Sequence, residues 1–237
     1  MEYKEFDFEG EETLKHMSHA NRLNHWMYSQ IKPYVKGKIL EIGSGIGNIS
    51  QYFIEDNTDI ELSDIRDQYT DFLKSKFPKN KIHKLDLVHP NFDTEYAHLH
   101  GQFSLVFALN VVEHIEDDKL ALENIQKLLK PQGITYILVP AYNFLYNNFD
   151  KALYHFRRYN KKSLSAIFPT NAHKIKTWYF NFVGIFGWYI VGNILKKEII
   201  PESNMKLYNI LTPIFKVVDF IILRKMGLSV VLVSKKI

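Results

Sequence analysis

No cysteine occurs in the 237 residues. That excludes disulfides, a thiolate nucleophile and cysteine-ligated zinc, and it fits a reducing or an oxidising compartment equally. Dense runs of lysine or arginine are also missing. The formal charge is +4 and the pI near 8.9, with the basic residues scattered, so nucleic-acid binding has no support. The N-terminus, Met1 to Gly10, is acidic and lacks the apolar core of a secretion signal, which points to a cytoplasmic protein. Charge is absent from Thr177 to Leu195, yet Asn181, Asn193 and three glycines interrupt that apolar run. It divides better into a strand and an aromatic helix than into one membrane span of about 20 apolar residues.

What is present is organised around Lys38-Ile-Leu-Glu-Ile-Gly-Ser-Gly-Ile-Gly-Asn48. Lys38 to Ile42 alternates polar with apolar residues and ends at Gly43, Gly45 and Gly47, the pattern of a strand running into a tight turn. Ile49, Tyr52 and Phe53 then resume at helical spacing, so unpaired backbone N–H groups would face a crevice there. Asn48 stands where the dinucleotide fingerprint Gly-x-Gly-x-x-Gly needs its third glycine, which disfavours nicotinamide and flavin cofactors. A carboxylate at Glu41 suits a cationic or amino-bearing ligand better than a pyrophosphate. A second strand, Asp59 to Ile65, ends at Asp64, 19 residues on from Gly45 and about where an acid holds a ribose; Glu61 competes for that role.

The run Glu41 to Gly47 resembles the first motif of the class I, Rossmann-like methyltransferases that use S-adenosylmethionine, Asp/Glu-x-Gly-x-Gly-x-Gly, at every fixed position. Asn110-Val-Val-Glu-His114, after the apolar strand Phe103 to Leu109, is similar to the family's fourth motif, and Lys130-Pro-Gln-Gly133 before the strand Ile134 to Val139 is a further family feature. The resemblance spans about residues 37–140. It implies cofactor contacts from Glu41, Gly43, Ser44, Gly45, Gly47, Asp64 with Ile65, Asp86 with Leu87, and Asn110. Asp86, at the end of a third strand from Lys81 to Leu87, would bond the adenine amino group. N-terminal helices in this family often cover the cofactor or line the acceptor pocket, a role open to Trp26 and Met27, which suit plain core equally well.

The acceptor side is expected beyond the fifth strand. Tyr142 lies there, followed by Tyr154-His-Phe-Arg-Arg-Tyr159. Its His155, Arg157, Arg158 and Tyr159 join a proton acceptor, two anion-binding forks and a phenol, or else form a basic loop whose arginines cap carbonyls. His114 and His155 are the candidate bases. Glu113 and His114 either orient an acceptor or brace the loop. His98 and His100 near Asp93 and Glu95 lack a fixed third ligand, and no metal is expected. Ser163 should cap a short helix ending before Pro169.

Residues 204–224 form an amphipathic helix with Lys206, Asn209, Thr212, Lys216 and Asp219 on one narrow stripe, which leaves an apolar arc wider than one core contact requires. The aromatic helix, a second subunit, a lipid surface or an apolar acceptor could cover it. The expected architecture is one α/β domain, a Rossmann-like three-layer sandwich with a seven-stranded, mostly parallel sheet and an antiparallel last strand. Residues 1–36 form an N-terminal helical cap, 37–181 the nucleotide-binding core, 182–226 a hydrophobic helical insertion and 227–237 the final strand. The expected activity is methyl transfer from S-adenosylmethionine, leaving S-adenosylhomocysteine, to a small, partly hydrophobic acceptor. Peripheral membrane contact or a homodimer would run through residues 182–224. The alternatives are a nucleotide-cofactor oxidoreductase on a related fold and a non-catalytic scaffold that binds a membrane or a partner.

Overall fold

The computed structural model describes residues 8–197 and 202–237. The expectation about a secretion signal, which rests mainly on residues 1–7, and residues 198–201 of the expected insertion lie outside the described residues. Two helices come first, α1 (Phe8–Ser18) and α2 (Asn21–Ile31). Then follow β1 (Ile39–Ile42), α3 (Ser50–Glu55), β2 (Ile60–Asp64), α4 (Asp67–Lys76), β3 (Ile82–Lys84), the short α5 (Phe92–Glu95) and β4 (Phe103–Leu109). The order continues with α6 (Asp118–Leu128), β5 (Leu129–Pro140), α7 (Asn148–Ala152), α8 (Lys161–Ala166), β6 (Ala172–Phe180), α9 (Gly184–Trp188), α10 (Glu202–Ile221) and β7 (Ser229–Lys236).

The strands make one seven-stranded sheet in the order β3–β2–β1–β4–β5–β7–β6. β1 to β5 pair in parallel, and β7 runs antiparallel between β5 and β6. Side chains alternate across it, as the two-residue period of a strand dictates. Leu40, Ile42, Val106, Ala108, Ile137 and Val139 meet Leu122 and Ile125 of α6 on one face. Ile39, Leu105, Phe107 and Leu138 meet Phe53 of α3, Leu73 of α4 and Trp26 of α2 on the other. With both faces covered, β4 needs the near-continuous apolar run that its sequence supplies. The chain leaves β1 towards β2 and returns on its other side at β4, so the crevice beyond their ends is the switch point where ligands of open α/β sheets bind.

Four expectations change in detail. β3 stops at Lys84, which places Asp86 in the turn after it. α3 starts at Ser50, so turn residues separate it from Gly47. The Lys130-Pro-Gln-Gly133 stretch belongs to the irregular start of β5, with Gln132 at φ +64° and Phe103 paired to Leu129 before the register shifts. Asn160, not Ser163, is the N-cap of α8; its side chain accepts from the Lys162 and Ser163 amides, and Ser163 reciprocates from the third position.

α10 is amphipathic as its sequence indicates, but part of its polar stripe lies on the inner face, beside the buried Met205 and Phe215. Thr212 and Asp219 are buried, and Asn209 accepts from the Arg22 amide of α2 at 2.6 Å. Leu207, Ile210, Ile214, Val217 and Ile221 form a row at three- and four-residue steps facing outward. Phe220 beside them is 76% exposed.

Candidate active site

The turn after β1 is built on backbone that side chains would strain. Gly43, Gly45 and Gly47 have φ of +67°, +53° and +77°. A Cβ on Gly43 would come within 2.5 Å of Val111, just beyond β4, and one on Gly45 within 2.8 Å of Leu14 on α1. The first contact marks the narrow cradle between the ends of β1 and β4. The second shows α1 lying across the turn, with Asn48 donating to the Leu14 carbonyl at 2.9 Å and Gln68 to Glu11 at 2.7 Å.

Two carboxylates frame this turn. Asp64, at the end of β2, accepts from the Gly45 amide at 3.0 Å and from the Arg66 amide at 3.1 Å, while burial pushes its carboxyl above the usual aspartate range. Glu41 is buried behind the turn and accepts from the Ser50 hydroxyl, so it ties β1 to α3. Burial pushes it up to about 8. Ser44 donates its amide to the Ser63 carbonyl at 2.8 Å, and Ile65 is partly exposed beyond Asp64. Asp86 is also partly exposed; its side chain accepts from the Val88 amide at 2.9 Å. Leu87 turns into the core and its carbonyl accepts from Asn124, which leaves only its backbone amide for a cofactor contact. Asn110 is exposed at the end of β4 in a left-handed conformation, φ +54°, its amide held by Leu138.

The acceptor-side expectations fare differently. Trp26 is buried and lies 4.3 Å ring to ring from Phe180, so it is core and not acceptor lining. Neither arginine is a free anion fork. Arg157 donates to Asp118 at 2.8 Å and to the Glu116 carbonyl, and buried Arg158 donates to Asp150 at 2.8 Å and to the Ala141 carbonyl while lying over the Trp188 ring. Tyr159 is buried with its hydroxyl on Asp118 at 2.8 Å, and burial followed by that carboxylate raises its pKa strongly, which removes it as a proton donor to an acceptor. Each is satisfied within the fold by Asp118 or Asp150, and no local pattern pairs those two aspartates with this loop. Tyr142 stays partly exposed, in a left-handed conformation at φ +62°, and stacks between Phe144 and Tyr179.

The Glu113–His114 step and the 150–158 loop are brought together by the Phe156 amide donating to the Glu113 carbonyl at 2.8 Å. The His114 and His155 rings meet edge to face at 4.6 Å. His155 shares a 2.7 Å hydrogen bond from Nδ1 with Asp150; burial pushes that aspartate up, but the hydrogen bond from His155 and the charge of Arg158 outweigh it. His114 is pushed down to about 3, by burial and then by His155 and Arg66, and Glu113 up to about 8 by burial. Sequence reasoning named these residues singly, and only the loop docking shows that they are neighbours.

The fit between these groups and S-adenosylmethionine rests on the cradle at Gly43 and the acids around it. Residues 40–135 match the family described as "Methyltransferase domain". A solved S-adenosylmethionine-dependent methyltransferase from Archaeoglobus fulgidus superposes with a TM-score of 0.59 at 16% identity, covering 90% of this chain and 94% of that one. Geranyl diphosphate C-methyltransferase from Streptomyces coelicolor A3(2), solved with Mg2+, geranyl diphosphate and S-adenosyl-L-homocysteine, gives 0.62 at 8% identity over 91% and 80%. Among curated proteins, "Probable polyketide synthase 42" of Dictyostelium discoideum is 27% identical over 157 residues, 56% of this chain; the match spans only 6% of that protein's length.

Proposed function

We propose that this chain, whose residues 40–135 match a methyltransferase domain, transfers a methyl group from S-adenosylmethionine, by direct displacement, to a small and partly apolar acceptor. The observation that carries the reading is the cradle at Gly43 to Gly47, closed behind by Glu41 and tied at its rim to Asp64. Bound S-adenosylmethionine supplies an electrophilic methyl carbon on a sulfonium leaving group. The chain's residues bind and orient. Asp64 would hold the ribose, Asp86 and Ile65 the base, and Asn110, at the β4 end, would stand where donor and acceptor must meet within attack distance. α1 covers the turn and excludes water. Neither expected base is well poised: His114 is pushed down to about 3, and His155 is enclosed with Nδ1 on Asp150, so the residues' main part is to position donor and acceptor.

An apolar acceptor is supported by the surface beyond the sheet. The Tyr142, Phe144 and Tyr179 stack stands at the ends of β5 and β6, and α9 packs on the neighbouring loop through Trp188, which donates to the Leu145 carbonyl. From there the exposed Phe186, Tyr189, Ile190, Ile194 and Leu195 continue to the outward row of α10. Lysines follow both helices, Lys196 and Lys197 after the first and Lys225 after the second. Among the described residues no helix is long and apolar enough to cross a membrane. An apolar face with basic flanks suits a helix lying in an anionic lipid interface. The reading is therefore a cytoplasmic enzyme that meets its acceptor at a membrane surface.

Calorimetric titration tests the cofactor. The native chain should bind S-adenosylmethionine and not NADH, and Gly45→Val should abolish binding, because it adds a β-branched residue at φ +53° against Leu14. Asp64→Ala should weaken it by about 1–3 kcal/mol, the scale of a lost hydrogen bond in a charged pair. Binding of NADH instead would move the chain to the oxidoreductase reading. Flotation with vesicles containing anionic lipid, but not purely zwitterionic ones, tests the surface.

A further inference from the structure

One polar cluster in the molecule is not explained by cofactor binding. Glu113 is 0% exposed, yet neither of its carboxylate oxygens has a hydrogen-bond partner. Buried carboxylates are normally paired or bound to a cation, so an orphan one asks what it faces. It faces two histidines. His155 Nε2 lies 4.0 Å from Glu113 Oε1, and one nitrogen of each ring together with a Glu113 oxygen all fall within 4.8 Å of one another. Arg158 is close, but its hydrogen bonds go to Asp150 and the Ala141 carbonyl, so it does not satisfy Glu113.

One ring is held from behind: His155 has Nδ1 on Asp150. Metal-binding histidines commonly use one nitrogen in this way, on a carboxylate or a carbonyl, while the other faces the ion. Asp150 is itself fixed, by the Arg158 guanidinium at 2.8 Å and the Asn147 amide at 3.0 Å. Two imidazoles and one carboxylate form a set suited to divalent first-row transition metals, with further coordination positions left open.

We propose that Glu113, His114 and His155 bind one divalent transition-metal ion, with Asp150 orienting the His155 imidazole. The span of the ligand atoms is somewhat wider than two bonds of about 2.1 Å would bridge. Ligand atoms on a tetrahedral ion lie about 3.4 Å apart, so loading draws these together by up to about 1.4 Å, with the partly exposed His114 moving most. Of the three ligands only His114 is partly exposed, so a further ligand can enter from its side. An oxygen of the acceptor fits there, a hydroxyl or carbonyl rather than a diphosphate. That last step rests on the methyltransferase reading; the ion's binding does not.

The experiment uses the full chain without a polyhistidine tag, stripped with chelator and titrated with Co2+ in the absence of cofactor and acceptor. Wild type should bind one equivalent and show visible ligand-field bands unlike those of aqueous Co2+. Glu113→Gln and His155→Ala should lose stoichiometric binding, and Asp150→Asn should weaken it by about 10–100-fold, the usual effect of removing a supporting partner. Glu113→Gln keeps the side chain's shape, and its circular dichroism together with its affinity for S-adenosylmethionine shows that fold and cofactor site are intact. A Co2+ spectrum no different from that of the free ion, or equal binding by wild type and Glu113→Gln, overturns the site. So does infrared detection of a protonated Glu113 carboxyl that persists when Co2+ is in excess. Failure of S-adenosylmethionine to bind a chain that still loads Co2+ would count against the methyltransferase reading and not against the metal.

Discussion

Helices α6 and α10 are both amphipathic, but α10 leaves its apolar row outside and buries Met205 and Phe215 beside Thr212 and Asp219. α6 lies on the sheet with Ala121, Leu122, Ile125 and Leu128 inside and leaves Lys119 and Glu123 in water. α10 encloses Thr212 and Asp219 and leaves Ile210, Ile214 and Val217 exposed. The cause lies in what each helix covers. Under α6 are β4 and β5, whose backbone groups are already paired. Under α10 is the end of β6, where the amides of Asn181 and Phe182 need acceptors, and Asp219 takes both at 2.7 Å. Hydrophobic periodicity finds two faces of a helix. Which one goes inside depends on the unpaired groups of the neighbour.

The strongest test of that contrast is a buried carboxylate without a backbone donor. Glu41 has the Ser50 hydroxyl and is pushed up to about 8 by burial, from an ordinary value of 4.5. A raised carboxyl pKa means that the folded state holds a proton that the unfolded chain has released. The stabilisation is complete below about pH 4.5 and is lost as pH rises towards 8. Urea denaturation of the cofactor-free chain across that range should show falling stability, and Glu41→Gln should remove most of the slope, gaining up to ~4 kcal/mol at the upper end. A flat profile for wild type would mean that Glu41 is solvated.

The helices themselves come next. Ile125→Ala in α6 should cost about 3 kcal/mol, the transfer and cavity terms of a filled core site. Asp219→Ala in α10 should cost about 2 kcal/mol, because two buried amides lose their acceptor. Both are read from urea midpoints at constant pH. If Asp219→Ala is neutral while Ile125→Ala is costly, Asp219 does not hold α10 in place, and the contrast between the helices fails.

The sheet was legible because its determinants are local. The alternation at Lys38 to Ile42, the apolar run of β4 and the glycine turn each declare themselves within a few residues, and the resemblance implied the antiparallel last strand beside β6. The acceptor side was not legible, for a physical reason. The fate of Arg157, Arg158 and Tyr159 depends on Asp118 and Asp150, and that of Glu113 on a loop some 40 residues on. Trp26 presents the same helical spacing whether it lines a pocket or packs on Phe180. Charge pairing and pocket lining are long-range facts, and a single sequence carries them only as candidates.

The smallest expected effect on stability is the most informative about the outward face. Replacing Ile214 and Val217 together with serine removes apolar side chains that the folded chain already leaves in water, so the urea midpoint should move by no more than about 0.5 kcal/mol. Recovery with floated anionic vesicles should nevertheless fall roughly tenfold, since each side chain withdrawn from a lipid interface forfeits on the order of 1 kcal/mol. The same serine at Ile125 would unfold the domain before any vesicle was added. If the double variant instead loses more than about 2 kcal/mol of stability and light scattering shows a wild-type dimer becoming a monomer, a second copy of the chain covers this face. α10 would then bury both of its sides like any core helix, and the lipid reading would fall while the inward pairing at Asp219 stood.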